Sequence, residues 1–199
     1  MNSTKRFRLY HGTTLAYAES IIKNNFLIQP SPEDWLGTGV YFFVDGISSG
    51  AESAFEWARN SYPNDECCVV EVEIKVNSED VFDLTSHLGL REYNNLRKTI
   101  IETDFDELNI RRDLTIKKRR DIRLDDKIIT NKVMSKTTKK ILIHNVYIKE
   151  KLQRDLILES SYPNSTVACV NDLEIIRNIK ILKHNKAFKT DSQRSALLV

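Results

Sequence analysis

Residues 67–76 (CCVVEVEIKV) constrain the fold more than any other stretch, because apolar and charged side chains alternate there. The even-numbered residues from Val70 to Val76 point one way, and the charged residues between them point the other. A period of two over this length predicts a strand with one face in the core and one in solvent. The chain must therefore build a sheet whose apolar face needs covering.

Further strand and helix signals surround this segment. A helix is predicted at 15–26, where apolar residues recur at helical spacing, and another begins at Ser49, which opens a capping box with Glu52. A third helix is predicted at 88–101. Further strands are predicted at 7–11, 40–44, 81–84, 141–148, 155–158, 166–170 and 174–182. Helices and strands interleave early and strands dominate late, which favours an α+β domain over a doubly wound sheet. The sequence has no GxGxxG motif, which disfavours a Rossmann fold.

Composition narrows the class of protein. A chain of 199 residues with 41% hydrophobic side chains suits one domain. The three cysteines (Cys67, Cys68 and Cys169) have no CxxC spacing, which makes a disulfide framework or a cysteine-bound zinc unlikely and favours a reducing compartment. No signal-peptide pattern is visible, and no apolar run approaches the ~20 residues of a membrane span. We therefore expect a cytoplasmic protein.

Charge is distributed unevenly along the chain. Residues 111–140 contain twelve Lys or Arg and four Asp, whereas the net charge of the whole chain is only +2. We interpret residues 102–140 as a basic insertion in a core of about 7–100 and 141–183, followed by a polar tail at 184–199. The densest cations are candidate target-binding residues: Arg111, Arg112, Lys117, Lys118, Arg119 and Arg120. A nucleic acid, an acidic inhibitory protein partner and a plain solvated surface are about equally compatible with this run, with a slight lean to nucleic acid.

Two short motifs lie about thirty residues apart. The first is Leu9-Tyr10-His11-Gly12-Thr13, at the end of a strand and before a helix; the second is the segment WLGTGVYFF at 35–43, a Gly-x-Gly turn that leads into an aromatic strand. Either motif alone is common in turns and strands. Their joint occurrence, with a helix and loop between them, is far more specific.

In these motifs the chain resembles the ADP-ribosyltransferase superfamily, in its poly-ADP-ribose-polymerase-like, diphtheria-toxin-like branch. The resemblance covers roughly residues 7–84 and 141–182. It implies two small, packed, mostly antiparallel sheets with flanking helices, and NAD⁺ as the co-substrate. No metal is implied, and His87, His144 and His184 lack metal-ligand spacing.

The resemblance also implies roles for individual residues. His11 would hydrogen-bond the adenosine ribose, and the backbone of Gly12, beside Thr13, would grip the nicotinamide amide. Tyr41 would stack on the nicotinamide ring. The remaining cofactor-binding candidates are the turn glycines Gly37 and Gly39, and Ser49, eight residues after the tyrosine, whose hydroxyl would bind the carboxamide.

The sequence departs from that branch at two positions. The third signature residue, a glutamate in polymerising members, falls on Thr166, or in the alternative register on Ser165. A hydroxyl is not a carboxylate base, so the motif predicts transfer of a single ADP-ribose rather than chain growth. Glu159 is an alternative source of the carboxylate. Glu52 occupies the place of a second stacking tyrosine.

These features predict a mono-ADP-ribosyltransferase that acts on a macromolecule, of the kind found in toxin–antitoxin or anti-phage systems, with possible inhibition by an antitoxin. A nucleic-acid base is slightly favoured over a protein as the acceptor. The alternatives are a protein-modifying transferase, a non-catalytic module that binds a nucleotide or nucleic acid, and, as a minor alternative, an NAD⁺-dependent RNA 2′-phosphotransferase. The last would need arginines and a second histidine that we cannot place.

Overall fold

Seven strands form one mixed sheet with helices on both faces, in a computed structural model that describes residues 3–31, 34–109 and 122–182. The strands are β1 (Thr4–Thr14), β2 (Val40–Val44), β3 (Cys67–Asn77), β4 (Val81–Asp83), β5 (Ile141–Val146), β6 (Ser165–Val170) and β7 (Ile176–Leu182). The helices are α1 (Leu15–Asn24), α2 (Gly50–Ser61), α3 (His87–Thr103), α4 (Phe105–Asn109), α5 (Ile122–Ser135) and α6 (Lys151–Asp155). Single 3₁₀ turns lie at Ser78–Asp80 and Leu173–Ile175. The predicted α+β class is confirmed.

The strand order is β4-β5-β6-β2-β1-β3-β7, and every neighbouring pair is antiparallel except β4 with β5. The expectation of two separate sheets is wrong, because β1 and β2 join the halves. That junction is short: only Leu9 with Val44 and Tyr10 with Phe43 are in register, whereas β1 pairs with β3 along its whole length. The sheet is therefore nearly divided between β1 and β2.

Each face of the sheet has its own apolar core. One core includes Leu9, Phe42 and Val70 and is covered by α1 through Ala18. The other core is covered by α2, α3 and α5, which contribute the fully buried Ala54, Ile100 and Val133, respectively. Because neighbouring residues of a strand point to opposite faces, each strand serves both cores.

Side-chain caps and one left-handed residue define the ends of the first two helices. The Thr14 hydroxyl accepts a hydrogen bond from the Tyr17 N–H and caps α1, and Ser49 caps α2 in the same way through the Glu52 N–H. Helix α1 ends where Asn25 adopts a φ of 67°, a conformation that asparagine tolerates better than most residues. The strand predicted at 40–44 matches β2.

One predicted strand is absent. Residues 155–158 belong to the end of α6 and the turn after it, where Ile157 has a φ of 55°. The apolar run there is exposed rather than buried. The reason is topological: β5 and β6 pair directly with each other, so the segment that connects them has no strand to join.

The second face of β3 also differs from the prediction. Glu71 is buried, although the alternating pattern placed it in solvent. Its carboxylate lies 2.9 Å from the Lys180 ammonium and 3.5 Å from the Arg8 guanidinium. Helices cover both faces of this sheet, so a charged residue on the second face needs cationic partners.

The proposed basic insertion is in part core. Helix α5 buries Thr130 and Val133, so this part of the predicted insertion contributes side chains to the core. Five lysines of the region form ion pairs within the fold, namely Lys127, Lys132, Lys136, Lys139 and Lys140. Residues 110–121 and the tail at 183–199 lie outside the described residues. Within the described ranges, no helix has the length and apolar character needed to cross a membrane.

Gly12→Ala tests the packing of α2 on β1. A Cβ at this position would lie 1.8 Å from the Ala54 carbonyl oxygen, so the helix must move. We expect the free energy of unfolding to fall by about 3 kcal/mol, measured by urea denaturation. Ala16→Ser on the exposed side of α1 should change it by less than about 0.5 kcal/mol. An equally small effect of both substitutions would contradict this close approach.

Candidate active site

The two sequence motifs meet where β1 and β2 separate. Their pairing ends at Tyr10 and Phe43, and the next residue of β1 is His11. There the imidazole Nδ1 of His11 lies 2.9 Å from the Tyr41 carbonyl oxygen and donates a hydrogen bond to it. The His11 side chain thus bonds a backbone carbonyl just beyond the last β1–β2 pair. This bond brings segments thirty residues apart into direct contact.

The His11 ring is packed edge-on among aromatic side chains. Its centroid lies 5.3 Å from that of Phe26 and 5.8 Å from that of Phe42. Burial lowers the pKa of His11, and the hydrogen bond to the Tyr41 carbonyl only partly opposes this. The ring is therefore neutral at pH 7, and because Nδ1 carries the proton, Nε2 is left as a hydrogen-bond acceptor.

The phenol of Tyr41 has a different environment. Its hydroxyl donates to the Gly37 carbonyl oxygen over 2.9 Å and accepts from the Leu36 N–H over 2.8 Å. Burial raises the pKa of this hydroxyl, so it stays protonated. Tyr41 thus holds residues 34–39, which we call the Gly-x-Gly loop.

The imidazole and the phenol lie on opposite faces of the sheet. His11 packs with Phe42 in the core under α1, whereas Tyr41, one residue earlier in β2, packs in the core under α2. The two side chains therefore do not enter one pocket. The contact between them is the bond from Nδ1 to the Tyr41 carbonyl.

The candidate glycines lie where the backbone turns sharply or lies against a neighbouring strand. Gly37 has a φ of 88°, which few other residues adopt, and it forms the turn of the loop. A Cβ at Gly39 would lie 2.6 Å from the Cys169 sulfur and from the Val170 carbonyl oxygen. Gly12 and the buried Thr13 lie on β1 beyond its last pair with β2.

Ser49 lines a separate cleft of about 170 Å³ between α2 and the start of β6, which we call the α2 cleft. Ser165 lines the same cleft, together with the aromatic side chains of Phe43 and Trp57. Ser49 and Ser165 are 116 positions apart in sequence, so only the fold brings them together.

The two alternatives for the third signature position point to opposite faces of β6. The Thr166 hydroxyl donates to Asn145 Oδ1 over 2.8 Å and accepts from the Ile47 N–H over 3.3 Å, away from the α2 cleft. Ser165 borders the cleft. The structure therefore favours Ser165 over Thr166 as the residue beside Ser49. The exposed Glu159 pairs with Lys149 on the cleft rim.

A carboxylate that sequence reasoning missed borders the same cleft. Glu56 lies one turn after Glu52 on α2 and also lines a larger cavity of about 500 Å³ further along the helix. The Glu56 side chain is exposed overall, but partial burial of its carboxyl group and the negative charge of Glu150 raise the pKa of Glu56, against the opposing charge of Arg59. The spacing of four residues from Glu52 was the available signal, because it places both carboxylates on one helix face.

No family model, curated protein or solved structure matches this chain. In the part of the chain that the structure describes, no group of three or more His, Cys, Asp or Glu side chains is arranged to hold a metal ion. The six candidate target-binding residues, Arg111, Arg112, Lys117, Lys118, Arg119 and Arg120, lie outside the described residues.

The stability of the fold should depend on pH through His11. Its folded-state pKa is below the ordinary 6.5, so the unfolded chain takes up the proton first as the pH falls. The contribution to stability is complete above about pH 6.5 and is lost as the pH falls through the folded-state pKa. We expect a lower urea midpoint at pH 5 than at pH 7.5, with the lowered pKa of His144 acting in the same direction.

His11→Asn separates the two histidines. The asparagine amide can replace the Nδ1 donor without titrating, so the variant should lose part of this pH dependence. His87→Asn, at an exposed position, is the matched control and should retain the parent slope. Equal slopes in all three proteins would contradict a buried neutral His11.

Proposed function

We propose that this chain is an ADP-ribosyltransferase that moves ADP-ribose from NAD⁺ to a macromolecular acceptor. The observation that carries the proposal is the contact between the two motifs of the resemblance. His11 and Tyr41 meet where the sheet opens, over 2.9 Å between Nδ1 and the carbonyl oxygen. The two rings lie on opposite faces of the sheet, so the two motifs contact each other through the Tyr41 backbone.

The geometry at His11 supports the role that the resemblance implies. Because the Tyr41 carbonyl fixes Nδ1 as the donor, Nε2 can accept a hydrogen bond from a ribose hydroxyl. Beyond His11, β1 has no register pair with β2 in the described residues, which leaves Gly12 and Thr13 as candidates for backbone contacts with a carboxamide. The Tyr41 hydroxyl is held by the loop, so only its ring would contact nicotinamide.

The α2 cleft supplies the remaining groups. Ser49 would bind the carboxamide at the amino end of α2, and Ser165 would take the third signature position. In the transfer, the bond between ribose C1′ and nicotinamide breaks and its electron pair leaves with nicotinamide. A nucleophilic atom of the acceptor bonds to C1′, and its proton passes to a carboxylate. Glu56 fits this base, because it borders the same cleft as Ser49 and Ser165 and its pKa is raised toward neutrality.

The distribution of Lys and Arg along the chain suggests the class of the ADP-ribose acceptor. Five lysines between residues 127 and 140 are paired with carboxylates of the chain, so the proposal rests on the density of cations in the sequence at residues 111–120. Six Lys or Arg in ten residues suit a phosphate backbone, which favours a nucleic acid acceptor. The motif set suits a cytoplasmic toxin or anti-phage effector that an antitoxin could inhibit.

Labelled NAD⁺ and whole-cell lysate test the proposal. We expect release of nicotinamide and transfer of labelled ADP-ribose to a polymer, with removal of the label by nuclease rather than by protease. Label removed by protease alone would show a protein acceptor. Removal of 2′-phosphate from RNA would instead indicate the phosphotransferase. Absence of nicotinamide release would overturn the enzyme proposal and leave a binding module.

Glu56→Gln tests the proposed base. Loss of a general base lowers turnover by about 10²-fold or more, and the acid limb of the pH–rate profile should disappear. The residue is exposed, so the melting temperature should change little. Glu19→Gln, on the exposed side of α1, is the matched control and should retain full activity. A Glu56→Gln protein with parental turnover would rule out this residue as the base.

A further inference from the structure

Helix α5 lies directly against the Gly-x-Gly loop. The Asn131 Oδ1 accepts a hydrogen bond from the Thr38 N–H over 2.7 Å, and its Nδ2 donates to the Thr38 hydroxyl over 3.2 Å. A Cβ on Gly37 would lie 3.1 Å from Asn131 Oδ1. The Gly-x-Gly loop thus approaches α5 so closely that a side chain at position 37 would crowd Asn131.

Lys127, one turn earlier on the same helix face, holds the start of the loop. Its ammonium donates to the Ser31 carbonyl oxygen and lies 3.5 Å from Asp34 Oδ2. The side chains of Lys127 and Asp34 are only 18% and 9% exposed, so solvent screens this pair less than a surface pair. Asp34 also accepts the Ser31 N–H over 2.6 Å.

The sheet holds the same loop from the other side. Gly37 offers its carbonyl oxygen to the Tyr41 hydroxyl and to the Cys169 thiol, at 2.9 and 3.4 Å. The backbone between Gly37 and Thr38 is therefore fixed by Tyr41 on one side and by Asn131 on the other. Two segments remote in sequence, β2 and α5, must both be in place before the loop has a single conformation.

We propose that Asn131 is a positioning residue of the candidate active site, which fixes the turn through the Thr38 amide and so sets the loop that the Tyr41 phenol supports. The effect on catalysis rests on the proposed function, whereas the effect on the loop does not. Asparagine is a poor former of helix interiors, and here it satisfies a backbone donor that no other described residue bonds.

The test compares Asn131→Leu with Asn131→Asp. Leucine keeps the approximate size but leaves the Thr38 N–H without an acceptor, so hydrogen exchange of this amide should accelerate about tenfold. The KM for NAD⁺ should rise about as much, with a smaller change in kcat. Aspartate can still accept from the Thr38 N–H, so it should restore slow exchange and most of the parental KM.

Ser135→Ala is the matched control, because the Ser135 hydroxyl bonds only the Lys132 carbonyl oxygen of its own helix. It should leave both readouts unchanged. Parental Thr38 exchange in Asn131→Leu would overturn the proposal, as would faster exchange spread evenly over the sheet or a KM that does not follow the exchange rate. If the parent protein releases no nicotinamide, the proposed function fails, and exchange at Thr38 still decides whether Asn131 fixes the loop.

Discussion

The hydrogen bond from the His11 imidazole to the Tyr41 carbonyl is the contact on which the arrangement of the candidate site depends. It occupies the position just beyond the last β1–β2 register pair and connects the two halves of the sheet. Beyond this bond, Gly12 and Thr13 have no register pair with β2 in the described residues. Without the bond, the half-buried imidazole would lose the partner of its donor, which costs free energy where water has little access.

The Gly-x-Gly loop depends on contributions from distant parts of the chain. Tyr41 and Cys169 hold it from the sheet, and Lys127 and Asn131 hold it from α5. Helix α5 in turn is anchored by the buried Val133. The region that composition identified only as basic is therefore also a structural part of the loop's environment.

The sequence predicted local features well, but it predicted poorly which distant segments lie side by side. Period-two alternation and the cap Ser49 are local signals, and both are realised in the fold. Asn131 bonds Thr38, and Ser49 and Ser165 line the same cleft. Each of these pairs joins segments about a hundred residues apart, which no local pattern encodes. The strand expected at 155–158 failed because hydrophobicity alone does not reveal whether a neighbouring strand is available.

Tyr41 directly precedes Phe42 in β2, so its side chain points to the opposite face of the sheet. His11 packs against Phe42, and the rings of His11 and Tyr41 therefore lie on opposite faces. Spacing in sequence could indicate that the two motifs meet, but it could not indicate the face on which each ring lies.

The internal pairing of lysines in and after α5 also limits how this protein can respond to ionic strength. Lys127, Lys132, Lys136, Lys139 and Lys140 are occupied by carboxylates of the same chain, so a bound nucleic acid would have to compete with these carboxylates for them. If each of the six Lys and Arg of residues 111–120 neutralised one phosphate of a duplex, about six condensed counterions would be released and the affinity would fall roughly with the fifth power of salt concentration.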